Sequence, residues 1–230
     1  MMLNLDHLTV SYGNNRVLDN MELSLPLQCI HGLVGLNGAG KTTLLNTIAG
    51  YKKQEEGTIL INGAPLKRKD LAYLETEQYY YSKITGREYL ELFRTPAQSR
   101  SIDEWNGLFK LPLDQITEGY SGGMKRKLAL IGILRKGKQL VILDEPFNGL
   151  DIESSRLLSM IIFGLKEQGT TVIVTSHILG SLTGICDYIH LLKNGRIVFS
   201  KESSQFSNLE SEIFSEVDSE HEKLVREILR

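Results

Sequence analysis

The sequence is short of several things. It holds two cysteines, Cys29 and Cys186, five prolines and one tryptophan in 230 residues. Two distant cysteines cannot build a disulfide framework and lack metal-ligand spacing, so a reducing compartment fits. An excess charge of one sign is missing too: 26 Lys and Arg against 28 Asp and Glu give a formal net charge of −2. A nucleic-acid-binding domain would show a basic excess, so no nucleic-acid partner is expected. The longest apolar run, Leu128 to Leu134, is seven residues including a glycine, where a membrane span needs about 20. The opening MMLNLDHLTV has neither a basic head nor an apolar stretch, so no signal peptide is expected. Internal repeats and long Pro, Ser or Gly linkers are absent as well. Against these absences, 41% hydrophobic residues suffice for a sizeable core. Glycine is the one residue in conspicuous supply, at 21, above the usual share of about 7%.

Periodicity sets out the chain. Leu3, Leu5, Leu8 and Val10 roughly alternate with polar residues, and Met21, Leu23 and Leu25 repeat the pattern before Pro26; both stretches predict strands. Cys29 to Val34 predicts a further strand, Lys41 to Ala49 a helix stopped by Gly50, and Thr58 to Ile61 a strand ending at the Asn62-Gly63 turn. Residues 78–138 carry helical or irregular signals, with helices expected at Arg87 to Phe93, Ile102 to Phe109 and Gly122 to Arg135. Leu140 to Leu143 and Thr171 to Thr175 are continuous apolar or β-branched runs, as in strands buried on both faces. With a helix over Ser154 to Glu167 they form a βαβ unit. Ile189 to Leu192 and Arg196 to Phe199 flank Asn194-Gly195, a hairpin signal. The tail from Glu202 is Ser- and Glu-rich and predicts a terminal amphipathic helix (Leu209, Ile213, Val217, later Leu224 and Ile228).

The strongest motif is GLNGAGKT, Gly35 to Thr42, which fits G-x-x-x-x-G-K-[ST] between a predicted strand and a predicted helix. Glycines let the backbone wrap so that successive N–H groups face the α- and β-phosphates, and the helix start adds its positive dipole end. Lys41 supplies a point charge for the β- and γ-phosphates, and the Thr42 hydroxyl suits Mg²⁺. The second site is QLVILDEP, Gln139 to Pro146. Asp144 at the strand tip would hold Mg²⁺, through a water, and Glu145 would polarise the attacking water as general base. The third is YSGGMKRK, Tyr120 to Lys127. Taken alone it is a Ser-capped helix with its basic residues left on the surface. Beside the first motif it is a second anion-binding helix start. His177, one turn after the strand Thr171 to Thr175, could reach the γ-phosphate edge, and Tyr12 offers a π-face to an adenine.

In this order these residues resemble the ATP-binding cassette (ABC) family, the ATPase subunits of ABC transporters, over about Leu3 to Ser200. The ordered set is Tyr12, GLNGAGKT, YSGGM, LVILDEP, NGLD (Asn148 to Asp151) and His177. The resemblance implies an α/β fold: a P-loop NTPase core with a mainly parallel sheet, an N-terminal antiparallel β subdomain and a helical insert. It implies one cassette over 1–200, the insert at about 78–138, and a short helical tail over 201–230. It implies that Gly35, Asn37, Gly38, Ala39, Gly40, Lys41, Thr42 and Thr43 form the Walker A loop, with Tyr12 stacking on adenine. Ser121, Gly122 and Gly123 look like the signature that closes on a partner's γ-phosphate. Thr42 and Asp144 look like the magnesium residues, and Glu145, His177 and Lys41 like the catalytic set. Asp151 resembles the D-loop carboxylate at the dimer seam.

Two positions depart from the family pattern. Met124 stands where the signature usually has an amide, and Thr76 where the Q-loop has glutamine, with Gln78 two residues on; either could take that role. The implied assembly is a cassette dimer, homo- or heterodimeric, around two ATP and Mg²⁺. It would sit in the cytoplasm on the inner face of the membrane, driving a separate permease. TGREYLELF and SHILGSLTGICDYIHLLKNGRIV look closest to cassettes of bacterial exporters for drugs and bacteriocins. The alternatives are an importer cassette of the same family, a soluble cassette powering an assembly complex, such as iron–sulfur cluster assembly, and a degenerate cassette that binds ATP without hydrolysis. The run Tyr79 to Tyr81 either packs on the insert or meets the permease.

Overall fold

The computed structural model describes residues 1–95, 100–213 and 226–229. The expected alternation near the N-terminus becomes a hairpin of β1 (Met2–Tyr12) and β2 (Asn15–Pro26). Its register explains why the alternation was only rough. Leu5 faces Leu23 but Leu8 faces Met21, so one extra residue bulges out of β1 between them, with His7 at φ +54°. The bulge returns Leu8 and Val10 to the buried face.

β3 (Ile30–Val34) and α1 (Lys41–Ile48) follow, then β4 (Glu56–Ile61) and β5 (Ala64–Pro65). The Asn62-Gly63 turn between the last two has φ +50° and +80°, as the dipeptide predicts. A four-residue strand comes next, β6 (Leu71–Leu74), entirely buried. Sequence periodicity gave no sign of it, because four residues are too few for a pattern and polar residues crowd both ends. The helices α2 (Gly86–Glu91), α3 (Ile102–Asn106) and α4 (Gly122–Arg135) occupy the expected insert, the first two shorter than expected. The Asn106 side chain stops α3 early by bonding both N and O of Leu111. β7 (Leu140–Leu143), α5 (Ile152–Glu167), β8 (Thr171–Thr175), α6 (Leu179–Thr183), β9 (Tyr188–Lys193) and β10 (Arg196–Glu202) complete the described elements. A helical turn begins at Leu209, which is buried; Val217 and Leu224 lie outside the described residues, and Ile228 is exposed.

Two sheets result. One is antiparallel, in the order β2-β1-β4-β5. The other runs β10-β9-β3-β8-β7-β6, parallel from β9 through β6, with β10 antiparallel at its edge. The architecture is therefore α/β, with an N-terminal antiparallel sheet and a mostly parallel core sheet. One face of the core sheet packs with the antiparallel sheet and α1, the other with α4 and α5. A third apolar cluster joins α2, α3 and α4. Helix α4 belongs to two of these clusters: Leu128 and Ile131 face the insert, Ala129 and Ile133 the sheet. It is thus a buried strut between them rather than a surface helix.

The two core histidines lock β3 to β9. His31 Nε2 donates to the Pro26 carbonyl at 2.7 Å, since a carbonyl only accepts. Its Nδ1 then accepts from His190 Nε2 at 3.1 Å, and His190 Nδ1 accepts from the Ser200 hydroxyl at 2.7 Å. Burial holds both rings neutral by pushing their pKa values down, that of His190 to about 3.

Candidate nucleotide site

The strand order brings β3, β8 and β7 side by side. Their C-terminal ends carry, in turn, the glycine loop, Thr175 to His177, and Asp144-Glu145. This is the edge of an open parallel sheet where ligands bind.

The loop before α1 is shaped by its own main chain. Gly38 and Gly40 sit at φ +82° and +105°, where a side chain would be strained. A Cβ on Gly35 would lie 2.3 Å from the Leu192 carbonyl of β9, so the loop start is pressed against the sheet. Lys41 Nζ donates to the Gly35 and Leu36 carbonyls at 2.6 and 3.3 Å, which holds the ammonium over the loop. Gly40 caps α1 without a side-chain hydrogen bond, and no acidic residue lies in the first turn. The helix start can thus face an anion. Asn37 and Gly38 are exposed at the loop crest and Ala39 is buried beneath it. Thr43 takes part through its carbonyl, which accepts from the Thr47 hydroxyl at 2.7 Å.

Three hydroxyls converge on Asp144, itself 1% exposed. Thr175 donates to Oδ1 at 2.6 Å; Thr76 and Thr42 donate to Oδ2 at 2.7 and 3.3 Å. The alternatives at the Q-loop position thus separate: Thr76 reaches the carboxylate, while Gln78 bonds back to the Glu75 carbonyl of its own loop. The donor set is all oxygen, one carboxylate with a hydroxyl across from it. That suits Mg²⁺, which takes few protein ligands and relies on phosphate oxygens for the rest.

Glu145 adopts φ +49°, unusual for a residue with a side chain. Its N–H donates to Thr175 Oγ1 at 2.8 Å. Its carboxylate accepts from His177 Nδ1 at 2.9 Å and from the His177 N–H at 3.3 Å. The carboxylate only accepts, so the ring carries a proton on Nδ1. Glu145 is mostly covered while His177 is more than half exposed, so the pair lies at the mouth of the site.

Tyr12 is half exposed near the end of the β1–β2 hairpin, whose Val17 and Leu18 pack beside Gly40. Lys52 Nζ lies 4.2 Å from its ring centroid. A cavity of about 450 Å³ opens between the glycine loop, Ser176, His177 and Ile213. Thr42, Asp144 and Tyr12 are not on its walls, so it adjoins the phosphate corner without containing it.

The signature corner stands apart from this group. Ser121 caps α4 by accepting from Met124 N at 3.2 Å. A Cβ on Gly123 would press on the Gly149 carbonyl at 2.7 Å, whereas one on Gly122 would meet nothing within 4 Å. Of the basic residues after it, Lys127 pairs with Asp151 at 2.9 Å, and Asp151 in turn caps α5 through Ser154 N. Both bonds hold the Asp151 carboxyl well below its usual range. The expectation that these basic residues lie on the surface fails at Arg126, which is 6% exposed and turned inward onto main-chain carbonyls. Nothing in the run Lys-Arg-Lys distinguishes the buried residue from its neighbours. The tyrosine run also divides. Tyr80 packs on Tyr89 and donates to the Lys125 carbonyl, while Tyr79 and Tyr81 are exposed and meet edge to face.

A protein-family model described as ABC transporter matches residues 18–148. The chain belongs to the ABC transporter family. The matched span holds the glycine loop, the signature corner and both strand-end carboxylates, the parts of an ATPase subunit. The cassette is 31% identical over 221 residues to the lantibiotic transport ATP-binding protein SrtF of Streptococcus pyogenes, covering 93% of this chain and 96% of the relative. It is 31% identical over 238 residues to the bacitracin transport ATP-binding protein BcrA of Enterococcus faecalis, covering 97% and 76%. Its fold matches a solved ATP-binding subunit of an ABC transporter with TM-score 0.83, 27% identity, and coverage of 93% and 94%. No helix among the described residues is long and apolar enough to cross a membrane.

Proposed function

We propose that this chain hydrolyses MgATP at the end of β3, β7 and β8, as one of two cassettes that sandwich two nucleotides. The observation that carries the reading is the convergence of glycine loop, Asp144 and the Glu145–His177 pair at that edge. The loop and Lys41 bind the phosphates, and Tyr12 stacks on the adenine once Lys52 swings off its face. Thr42 and Asp144 would hold the magnesium ion, which when bound neutralises phosphate charge. Glu145 orients and deprotonates the attacking water, and His177 holds the Glu145 carboxylate toward it. Thr76 fixes Asp144 in the place of the usual glutamine.

Ser121, Gly122 and Gly123 face the partner's γ-phosphate. The open space above Gly122 supports this, because nothing in the chain itself requires a glycine there. A two-fold pairing lets one loop and one signature per chain complete both sites. Breaking the shared γ-phosphate then releases the pair. The relatives named for lantibiotic transport and bacitracin transport favour transport of such compounds, and we take this cassette to drive their export through a separate permease. Tyr79 and Tyr81 offer an exposed aromatic contact for it. The cassette would then work in the cytoplasm, on the inner face of the membrane.

The test is Glu145→Gln with saturating MgATP. Turnover should fall by about 10²–10⁴, the usual share of a general base, and light scattering should show a stable dimer. A variant that stays monomeric under those conditions excludes self-pairing.

A further inference from the structure

We infer that Arg126 is the positioning residue of Glu145. The inference rests on the ATPase reading above and adds to it a residue on α4 that never touches the nucleotide.

The strands β6 and β7 are paired in parallel as far as Leu74 and Leu143. The Asp144 N–H makes one more bond, to the Leu74 carbonyl at 2.8 Å. Beyond that point the two chains part, and their next carbonyls lose the ladder. Carbonyls drawn away from water need partners. Arg126 supplies one to each of the four, beside the Gln78 amide on the Glu75 carbonyl and the Asn148 N–H on the Glu145 carbonyl. Nη1 donates to the carbonyls of Glu75 and Thr76 at 2.8 and 2.9 Å. Nη2 donates to the carbonyls of Asp144 and Glu145 at 2.5 and 2.7 Å. One guanidinium thus replaces the missing ladder for two residues on each strand. Its Nε is buried and has no hydrogen-bond partner in the structure. The fork is therefore aimed at these four oxygens at the expense of its remaining donor.

The consequence falls on Glu145. Its left-handed backbone costs about 1 kcal/mol or more and persists only where its surroundings fix it. Three bonds do so: the Glu145 N–H on Thr175 Oγ1, and the Glu145 carbonyl accepting from Arg126 Nη2 at 2.7 Å and, at the longer distance of 3.2 Å, from the Asn148 N–H. That conformation is what sends the carboxylate to His177. The same guanidinium fixes the Thr76 main chain, whose hydroxyl holds Asp144. Asp144 keeps the Thr175 and Thr42 hydroxyls in any case, so the position that depends on Arg126 is that of Glu145, set from behind through main chain alone. Lysine cannot do this, because one ammonium has three donors and no planar fork.

The experiment compares Arg126→Lys with wild type in the full-length chain. It measures affinity for a fluorescent ATP analogue with Mg²⁺, and turnover per mole of nucleotide-binding protein. Misplacing a catalytic group by about 1 Å can cost about 10²-fold. The expected result is a kcat lower by about tenfold or more, with KM and analogue affinity within about twofold. Combining it with Glu145→Gln should lower turnover no further than Glu145→Gln alone, since the displaced group is already disabled. Unchanged kcat overturns the proposal, as does a double variant that loses the full additional factor. If the lysine variant fails to bind nucleotide, Arg126→Gln, which can still reach two carbonyls, takes its place. If that also fails, Arg126 serves the fold and the proposal falls. A wild-type chain without turnover, or a Glu145→Gln variant with full turnover, would instead sink the ATPase reading.

Discussion

The two glycine corners of this cassette are built differently. In the loop before α1 the chain itself dictates nearly every position: two left-handed glycines, Gly35 pressed on Leu192, and an ammonium held by loop carbonyls. At the start of α4 the cap is satisfied and Gly123 is packed, yet Gly122 stands in open space. The first corner is a finished cradle. The second is a helix start with open space over one of its glycines, where the proposed partner would approach. On this contrast the loop should bind nucleotide in a single chain, and the signature should matter only when two chains meet.

The largest expected effect lies in the cradle. Lys41→Ala removes the ammonium held over the loop by its carbonyls. A hydrogen bond to a charged group contributes about 1.5–3 kcal/mol, so ATP affinity of the monomer should drop by about tenfold to a hundredfold. Calorimetric titration at a concentration where the protein is monomeric reads it directly. If a change at Ser121 weakens monomer binding as much, the contrast between the corners collapses.

Next in size is Gly35→Ala. Its Cβ would stand 2.3 Å from a main-chain oxygen that cannot swing away. Overpacking of this kind costs about 1–3 kcal/mol, which should appear as a lower midpoint in urea with an unchanged slope. Full stability would mean that the loop is held less tightly by β9 than the geometry implies.

How much of this was legible in the sequence follows from how far each feature reaches. The phosphate loop, the hairpin turns and strands β7 and β8 depend on neighbours in the chain, and spacing or residue type revealed them. Asn194 and Gly195, for example, carry the positive φ angles that their dipeptide predicts. Arg126, Thr76 and Tyr80 depend on what lies across the ends of β6 and β7. No local pattern separates Arg126 from Lys125 and Lys127, or Tyr80 from Tyr79 and Tyr81. Burial distinguishes them only once the strand order is known. The glycine excess was legible as a location but not as a cause. Gly32 and Gly35 are packing glycines, Gly38 and Gly40 conformational ones, and Gly119 and Gly122 face open space.

That last distinction gives the smallest expected effect on the single chain and the sharpest test of the contrast. Gly122 has an ordinary negative φ, and a methyl there would meet nothing within 4 Å. It also lies in the first turn of α4, where alanine is a better helix former than glycine. Gly122→Ala should therefore change folding stability by no more than about 0.5 kcal/mol and leave monomer ATP affinity untouched. ATP-dependent dimerisation in the Glu145→Gln background should nevertheless fall, because the added methyl stands where the partner's γ-phosphate approaches the helix start. Size-exclusion chromatography with light scattering, with and without MgATP, separates the two effects. A variant that still dimerises like its parent would mean that the open space over Gly122 serves no partner. The two corners would then differ in packing alone.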